Sequence, residues 1–356
     1  MEAEEEIDLN LHKKFMLKAQ WCRYSLQFKF EARTSRQTMS VKDTYFIRVY
    51  RTSNPDETVG FGECALFKGL SADDRPDYEA MLSKACENPE EALLSSYSSI
   101  RFGFETALSK PADSAWLRGE KGITTNGLIW MGDRELMARR IAEKLDAGFK
   151  VLKLKIGGID FDDELALLAS VRERFGKEDL EIRLDANGSF TPENALERLR
   201  RLSEYDIHSL EQPIKAGNIE AMSRLCEQSP IAIALDEELI GLRTREESSS
   251  LLEQIRPQYI ILKPSLCGGF GASDIYIEEA CRLGIGWWAT SALESNIGLG
   301  AIASWVASKN PEIPQGLGTG ALYYNNVESP MTMRGSELWF NPAQSYIMPE
   351  DLQWRQ

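Results

Sequence analysis

The sequence predicts an α/β protein: a (β/α)7β TIM-like barrel carrying an α+β capping domain. Three observations lead there. Between residues 119 and 320, short apolar strands alternate with helical segments at near-regular spacing. Five successive strands, the second to the sixth, each end on a charged residue. No glycine-rich phosphate turn follows the early strands, which disfavours an open doubly wound sheet. The expected division is a capping domain over 1–118, a catalytic barrel over 119–320, and a C-terminal segment over 321–356 that packs back on the cap.

The cap comes first. The stretches YSLQFKFEA, DTYFIRVYRT and VGFGECALF alternate apolar and polar residues and read as an antiparallel meander. Loops are expected at Arg33 to Lys42 and at Thr52 to Glu57. The first of these is polar and suits either a flap over a pocket or an ordinary long hairpin loop. Residues Asp74 to about Lys110 are rich in Ala, Leu, Met and Glu and read as helical. The passage KPADSAWLRGEKG marks a boundary near residues 110–122.

Eight barrel strands follow in order. They are TNGLIW (125–130), VLKLKI (151–156), EIRLDA (181–186), HSLEQP (208–213), IAIALDE (231–237), YIILKP (259–264), GWWATS (286–291) and, least regular, PQGLG (314–318). Helix punctuation lies between them. Thr191 with Pro192 and, later, Asn218 read as helix starts. Gly148, Gly176 and Gly284 read as stops.

Composition narrows the function. The net charge is -14 and the pI near 4.9, so nucleic acid is not an expected partner. The start, MEAEEEIDLN, lacks the features of an export signal, and no apolar run is long enough for a membrane span. The six cysteines have no CxxC spacing and read as free thiols in a reducing, cytoplasmic setting. Only His12 and His208 are present, which argues against a histidine-based triad or zinc site. A homo-oligomer is compatible with the sequence, which does not fix the oligomeric state.

The chemistry is carried by the strand ends, where a parallel barrel places its active site. In VLKLKIGG, Lys153 and Lys155 share one strand face and the apolar residues the other. Two ammonium groups ~6.6 Å apart along a strand each lower the other's pKa and so favour a neutral base. Asp185, Glu211, Asp236 and Lys263 stand on the inward parity of the next four strands. From Lys153 onward the spacings are 32, 26, 25 and 27 residues. Glu237 falls on the outward parity and Glu238 just beyond the strand, so Asp236 is the residue assigned. Three converging carboxylates require a cation, and hard oxygen donors without Cys or His suit Mg²⁺, with Mn²⁺ as an alternative. Lysines flanking such a centre point to proton abstraction next to a substrate carboxylate. The expected partner is therefore a small-molecule carboxylate. No activated nucleophile is visible, which makes hydrolysis the weaker reading.

KLKIGG, LDANGSF, SLEQPI, LDEEL and ILKPSLCGG together resemble the enolase superfamily, muconate-lactonising subgroup. Lysine bases working with Mg²⁺ are an established pattern of that superfamily. The resemblance implies Asp185, Glu211 and Asp236 as metal ligands, Lys155 as base and then acid, and Lys263 as the charge on the opposite face. It implies Lys153 as a supporting charge. LKPSLCGGFGASD, ATSALESNIGLGAIASWVA and PQGLGTGALY are similar to members that perform a syn dehydration on a ring carboxylate. There Ser291, Glu294 and Ser295 would contact the substrate side chain, with helix capping an equal alternative for Ser295. The nearest rival is a racemase or epimerase of N-acylamino acids or dipeptides. The DxD of dipeptide epimerases has no counterpart in Gly316-Leu317-Gly318-Thr319-Gly320. A silent scaffolding barrel is a further alternative, and it would be expected to have lost one of the six charged residues.

Overall fold

The structure is a computed structural model describing residues 16–33, 38–241 and 244–356. Strands β1 (Leu17–Arg33), β2 (Thr38–Arg51) and β3 (Asn54–Cys64) pair antiparallel in sequence order, as their alternation predicts. Both expected loops are shorter than the sequence suggested. Strand β2 already begins at Thr38, and residues 34–37 lie outside the described residues. Arg51 pairs with Asn54, which reduces the second loop to a tight turn.

The helical region divides into α1 (Tyr78–Glu87) and α2 (Ser98–Leu108). Pro89 breaks it, because proline has no N–H to donate. Helix α2 lies so close to β3 that a Cβ on Gly62 would fall 2.0 Å from the Gly103 carbonyl oxygen. The glycines of VGFGEC therefore serve close packing. Trp21, Tyr45, Ile47, Tyr78, Leu82, Ile100 and Phe104 fill the cap core.

A short strand, β4 (Ile123–Thr124), precedes the barrel. The seven-stranded parallel sheet then runs in sequence order: β5 (Gly127–Ile129), β6 (Val151–Lys155), β7 (Glu181–Asp185), β8 (Ile207–Glu211), β9 (Ala232–Leu235), β10 (Tyr259–Leu262) and β11 (Gly286–Ala289). The intervening helices are α3 (Arg134–Asp146), α4 (Phe161–Arg172), α5 (Ala195–Ser203), α6 (Ile219–Gln228), α7 (Arg245–Ile255) and α8 (Gly269–Leu283), with α9 (Asn296–Ser308) after β11. The eighth position is occupied by two bridges, not a full strand. Gln315 and Gly316 pair in parallel with Thr125 and Thr290 and so join the two sheet edges.

Asn218 caps α6 as expected, its side chain accepting from the Ala221 N–H at 3.1 Å. Thr191 and Pro192 open the turn that leads into α5: the Thr191 carbonyl accepts the Ala195 N–H at 2.9 Å, the Asn194 side chain accepts the Thr191 N–H at 3.0 Å, and regular helix begins at Ala195. The C-terminal segment serves both halves of the molecule. Strands β12 (Met331–Arg334) and β13 (Glu337–Phe340) form a hairpin that pairs with β4, and Arg355 then bridges to Trp21 of the cap.

No described helix is long and apolar enough to cross a membrane. All six cysteines are free, and Cys281 alone among them is exposed. A thiol reagent should therefore modify one cysteine in the native protein and all six after denaturation. A denatured count of four would reveal a disulfide and overturn the reading.

Candidate active site

Strand β6 is buried along its whole length. Leu152 and Leu154 enter the hydrophobic core, so Lys153 and Lys155 point into the barrel. Parallel pairing sets Lys155 level with Asp185, and Asp185 level with Glu211. The Lys155 ammonium donates to Asp185 Oδ2 at 2.9 Å and to Asn187 Oδ1 at 2.8 Å. Lys153 lies 3.0 Å from the same Asp185 oxygen and also touches Glu211. Across the barrel, Lys263 pairs with Asp236.

These contacts set the electrostatics. Burial pushes Lys153 down, but Asp185 and Glu211 outweigh it and hold the ammonium above its ordinary value. Burial likewise opposes, and Asp236 and Glu211 reverse, the shift of Lys263, which is also raised. The lowering expected at Lys153 from a neighbouring lysine is thus overridden by the carboxylates beside it. Burial raises Asp185, yet Lys153 and Lys155 together hold it well below the usual carboxylate range. Glu211 is pushed up by burial and by the Asp185 charge, against the pull of Lys153.

A cavity of about 300 Å³ opens over this cluster. Lys153, Lys155, Asp185, Lys263 and Ser291 line it. Glu211 and Asp236 do not form its surface and are engaged by Lys153 and Lys263 instead. Glu294 and Ser295 also lie behind the wall. Glu294 accepts the Ser291 hydroxyl at 2.6 Å, and Ser295 caps α9 by accepting from the Ile297 N–H at 3.1 Å.

As the side chains stand, no three acidic, cysteine or histidine groups among the described residues converge to metal-binding distance, because lysines come between the carboxylates. The donor set nevertheless fits a hard divalent cation. It offers three carboxylates on consecutive strands, and neither buried oxygen of Glu211 has a hydrogen bond of acceptable geometry.

Several site residues lie outside the charged strand ends. Asn187 links Lys155 to Glu237, to which its side chain donates at 3.2 Å. The Lys155 ammonium stands 6.0 Å from the Trp130 ring centroid. Phe67, Gly69 and Leu70 extend the cavity wall from the cap. Asn187 and Trp130 could have been found by extending strand parity to neutral residues; the cap residues carry no such signal.

The turn after β6 is held by Glu164 of α4. Its Oε1 accepts from the Gly157 N–H at 2.6 Å and the Gly158 N–H at 3.3 Å, while Oε2 is buried without a partner. Gly157 has φ 86°, and a Cβ there would meet Ser189 Oγ at 2.1 Å. Burial pushes the Glu164 carboxyl up to about 7, against the backbone donors. A raised acid favours folding in its neutral form. Its contribution is complete below the unfolded pKa near 4.5 and is lost as pH rises through about 7. Glu164→Gln, which mimics the neutral acid, should come close to wild-type stability at about pH 4 and exceed it at about pH 8 by on the order of 1–3 kcal/mol. Parallel denaturation curves at the two pH values would refute this.

Residues 136–340 match the enolase C-terminal domain-like family. The chain belongs to that family. The o-succinylbenzoate synthase of Desulfotalea psychrophila is 44% identical over 361 residues, covering 89% of this chain and 97% of the relative. The crystal structure of MenC from that organism superimposes with a TM-score of 0.78 at 42% identity, covering 91% of this chain and 99% of the other. Two further solved structures share the fold. The dipeptide epimerase of Enterococcus faecalis, solved with Mg and L-Leu-L-Tyr, has a TM-score of 0.75 at 20% identity, covering 91% and 96% of the two chains. The muconate lactonizing enzyme of Pseudomonas fluorescens has a TM-score of 0.76 at 21% identity, covering 94% and 96%.

Proposed function

We propose that this chain is an o-succinylbenzoate synthase, a hydro-lyase of menaquinone biosynthesis acting in the cytoplasm. It would convert 2-succinyl-6-hydroxy-2,4-cyclohexadiene-1-carboxylate to o-succinylbenzoate and water. The observation that carries the reading is the cavity in which Lys155 and Lys263, from the second and sixth barrel strands, meet beside Asp185, joined to the family relationship above.

Asp185, Glu211 and Asp236 would hold the divalent cation, Mg²⁺ in this reading. When bound it would supply positive charge to the substrate's ring carboxylate. The chain's own residues do the rest. Lys155, as the neutral amine, takes the proton from C1, and the electron pair passes into the carboxylate as an enediolate. Lys263 answers that charge from the other side of the ring. Lys155, now an ammonium, returns the proton to the departing hydroxyl on C6, water leaves, and the ring becomes aromatic. One group on one face serves both steps, as a syn elimination requires. Asn187 orients the Lys155 amine, and Lys153 balances the buried acids.

Purified protein, Mg²⁺ and the cyclohexadiene should yield aromatic product, followed by its ultraviolet absorbance. Absence of product overturns the assignment. A second activity, racemisation of N-acylamino acids, has a specific observation behind it, since lysines from the second and sixth strands both reach the cavity. Deuterium wash-in at the α-carbon tests it in the same preparation.

A further inference from the structure

Behind the cavity wall lies a buried network that the chemistry above does not use. Glu63, the penultimate residue of β3 in the cap, is fully buried and reaches across to the barrel. Its carboxylate accepts from the Ser295 N–H at 2.9 Å, the Ser295 hydroxyl at 2.6 Å and the Gly298 N–H at 2.9 Å. The Thr44 hydroxyl adds a fourth bond at 2.7 Å. The acid thus sits on the first turn of α9, where unpaired N–H groups and the helix dipole favour a negative charge.

The residues just before that turn form the cavity wall: Ser291, Ala292 and Leu293. Leu293 holds φ at 64°, a left-handed conformation unfavourable for leucine. Such a conformation persists only where its surroundings over-determine it. Here the Leu293 N–H donates to Ser291 Oγ at 2.9 Å, and its carbonyl accepts from the Tyr323 hydroxyl at 2.8 Å. Glu294 fastens the same turn through Ser265 and Ser291, at 2.5 and 2.6 Å.

We propose that Glu63 is a positioning residue: by clamping the first turn of α9, the cap holds Leu293 in its strained conformation, and with it the shape of the substrate-binding wall. This rests on the function proposed above. The binding wall would then keep its shape only while the cap is docked, so cap docking and substrate affinity are one event and not two.

Glu63→Gln keeps the volume and removes the charge and one acceptor. It should raise KM about tenfold, the scale of one lost charge-assisted hydrogen bond, while kcat stays within about threefold. Ser295→Ala removes one partner from the barrel side and carries the same test if the Gln variant does not fold. The double variant should fall short of the sum of the two single effects, because the Ser295 hydroxyl bond to Glu63 is common to both, while Ser295→Ala also removes the cap on the Ile297 N–H. Amide hydrogen exchange over residues 291–298, read without substrate, should accelerate in each variant. A clamp with a merely structural role would lower the melting temperature and leave KM unchanged. Equal KM in wild type and both folded variants overturns the proposal. Failure of the wild-type chain to make product overturns instead the function on which it rests.

Discussion

Lys155→Ala is expected to lose dehydration by at least about a thousandfold, within the range that general acid–base catalysis supplies. The structure explains why the loss should be catalytic and not a loss of fold. Asp185 keeps Lys153 at 3.0 Å when Lys155 is gone, so no buried carboxylate is left without a cation. The strand itself is fixed by Leu152 and Leu154 in the core and by its pairing with β5 and β7. The same variant should lose α-proton exchange on the face that Lys155 serves. Lys263→Ala should keep exchange on that face and lose it on the other. Deuterium wash-in into both enantiomers of an N-acylamino acid probe separates the two. Dehydration by Lys155→Ala near the wild-type rate would end the assignment.

Asp236→Asn should also abolish turnover, for a different reason. The substitution keeps the volume and removes one of three charges proposed to hold the cation. From charge alone it would leave the fold untouched, but the structure adds a cost. Lys263 is buried and takes its ion pair from Asp236, so the variant strands an ammonium. Removing one partner of a buried pair costs on the order of 3 kcal/mol. The expected result is an inactive protein of lowered but measurable stability, read by denaturant titration beside the assay. Full wild-type activity in excess chelator would contradict the metal requirement that motivates the variant.

The barrel strands were legible because each couples a strand-period apolar pattern to a charge at its end. Parity alone turned Lys153, Lys155 and Asp185 inward, as the structure has them. What escaped was whatever depends on contacts distant in sequence. Lys153 reaches Glu211 across the intervening β7 and Lys263 meets Asp236 on the neighbouring strand, contacts between residues distant in sequence that no local pattern announces. The sign of the Lys153 shift was missed for that reason: adjacent lysines are visible in VLKLK, the acids that overrule them are not. Ser291, Glu294 and Ser295 were found as a group, but the sequence could not show that only Ser291 faces the cavity.

The bridge between Trp21 and Arg355 sets the order in which a newly made chain can mature. Trp21 is translated well before its bridge partner Arg355, with the entire barrel in between. Cys22 and Phe46 likewise wait for Ile297 and Val327, with which they form one apolar cluster. A nascent cap therefore stays unfinished until the barrel has been made, a state in which exposed strands invite aggregation. Truncating the last few residues should then reduce soluble yield far more than their small number would imply.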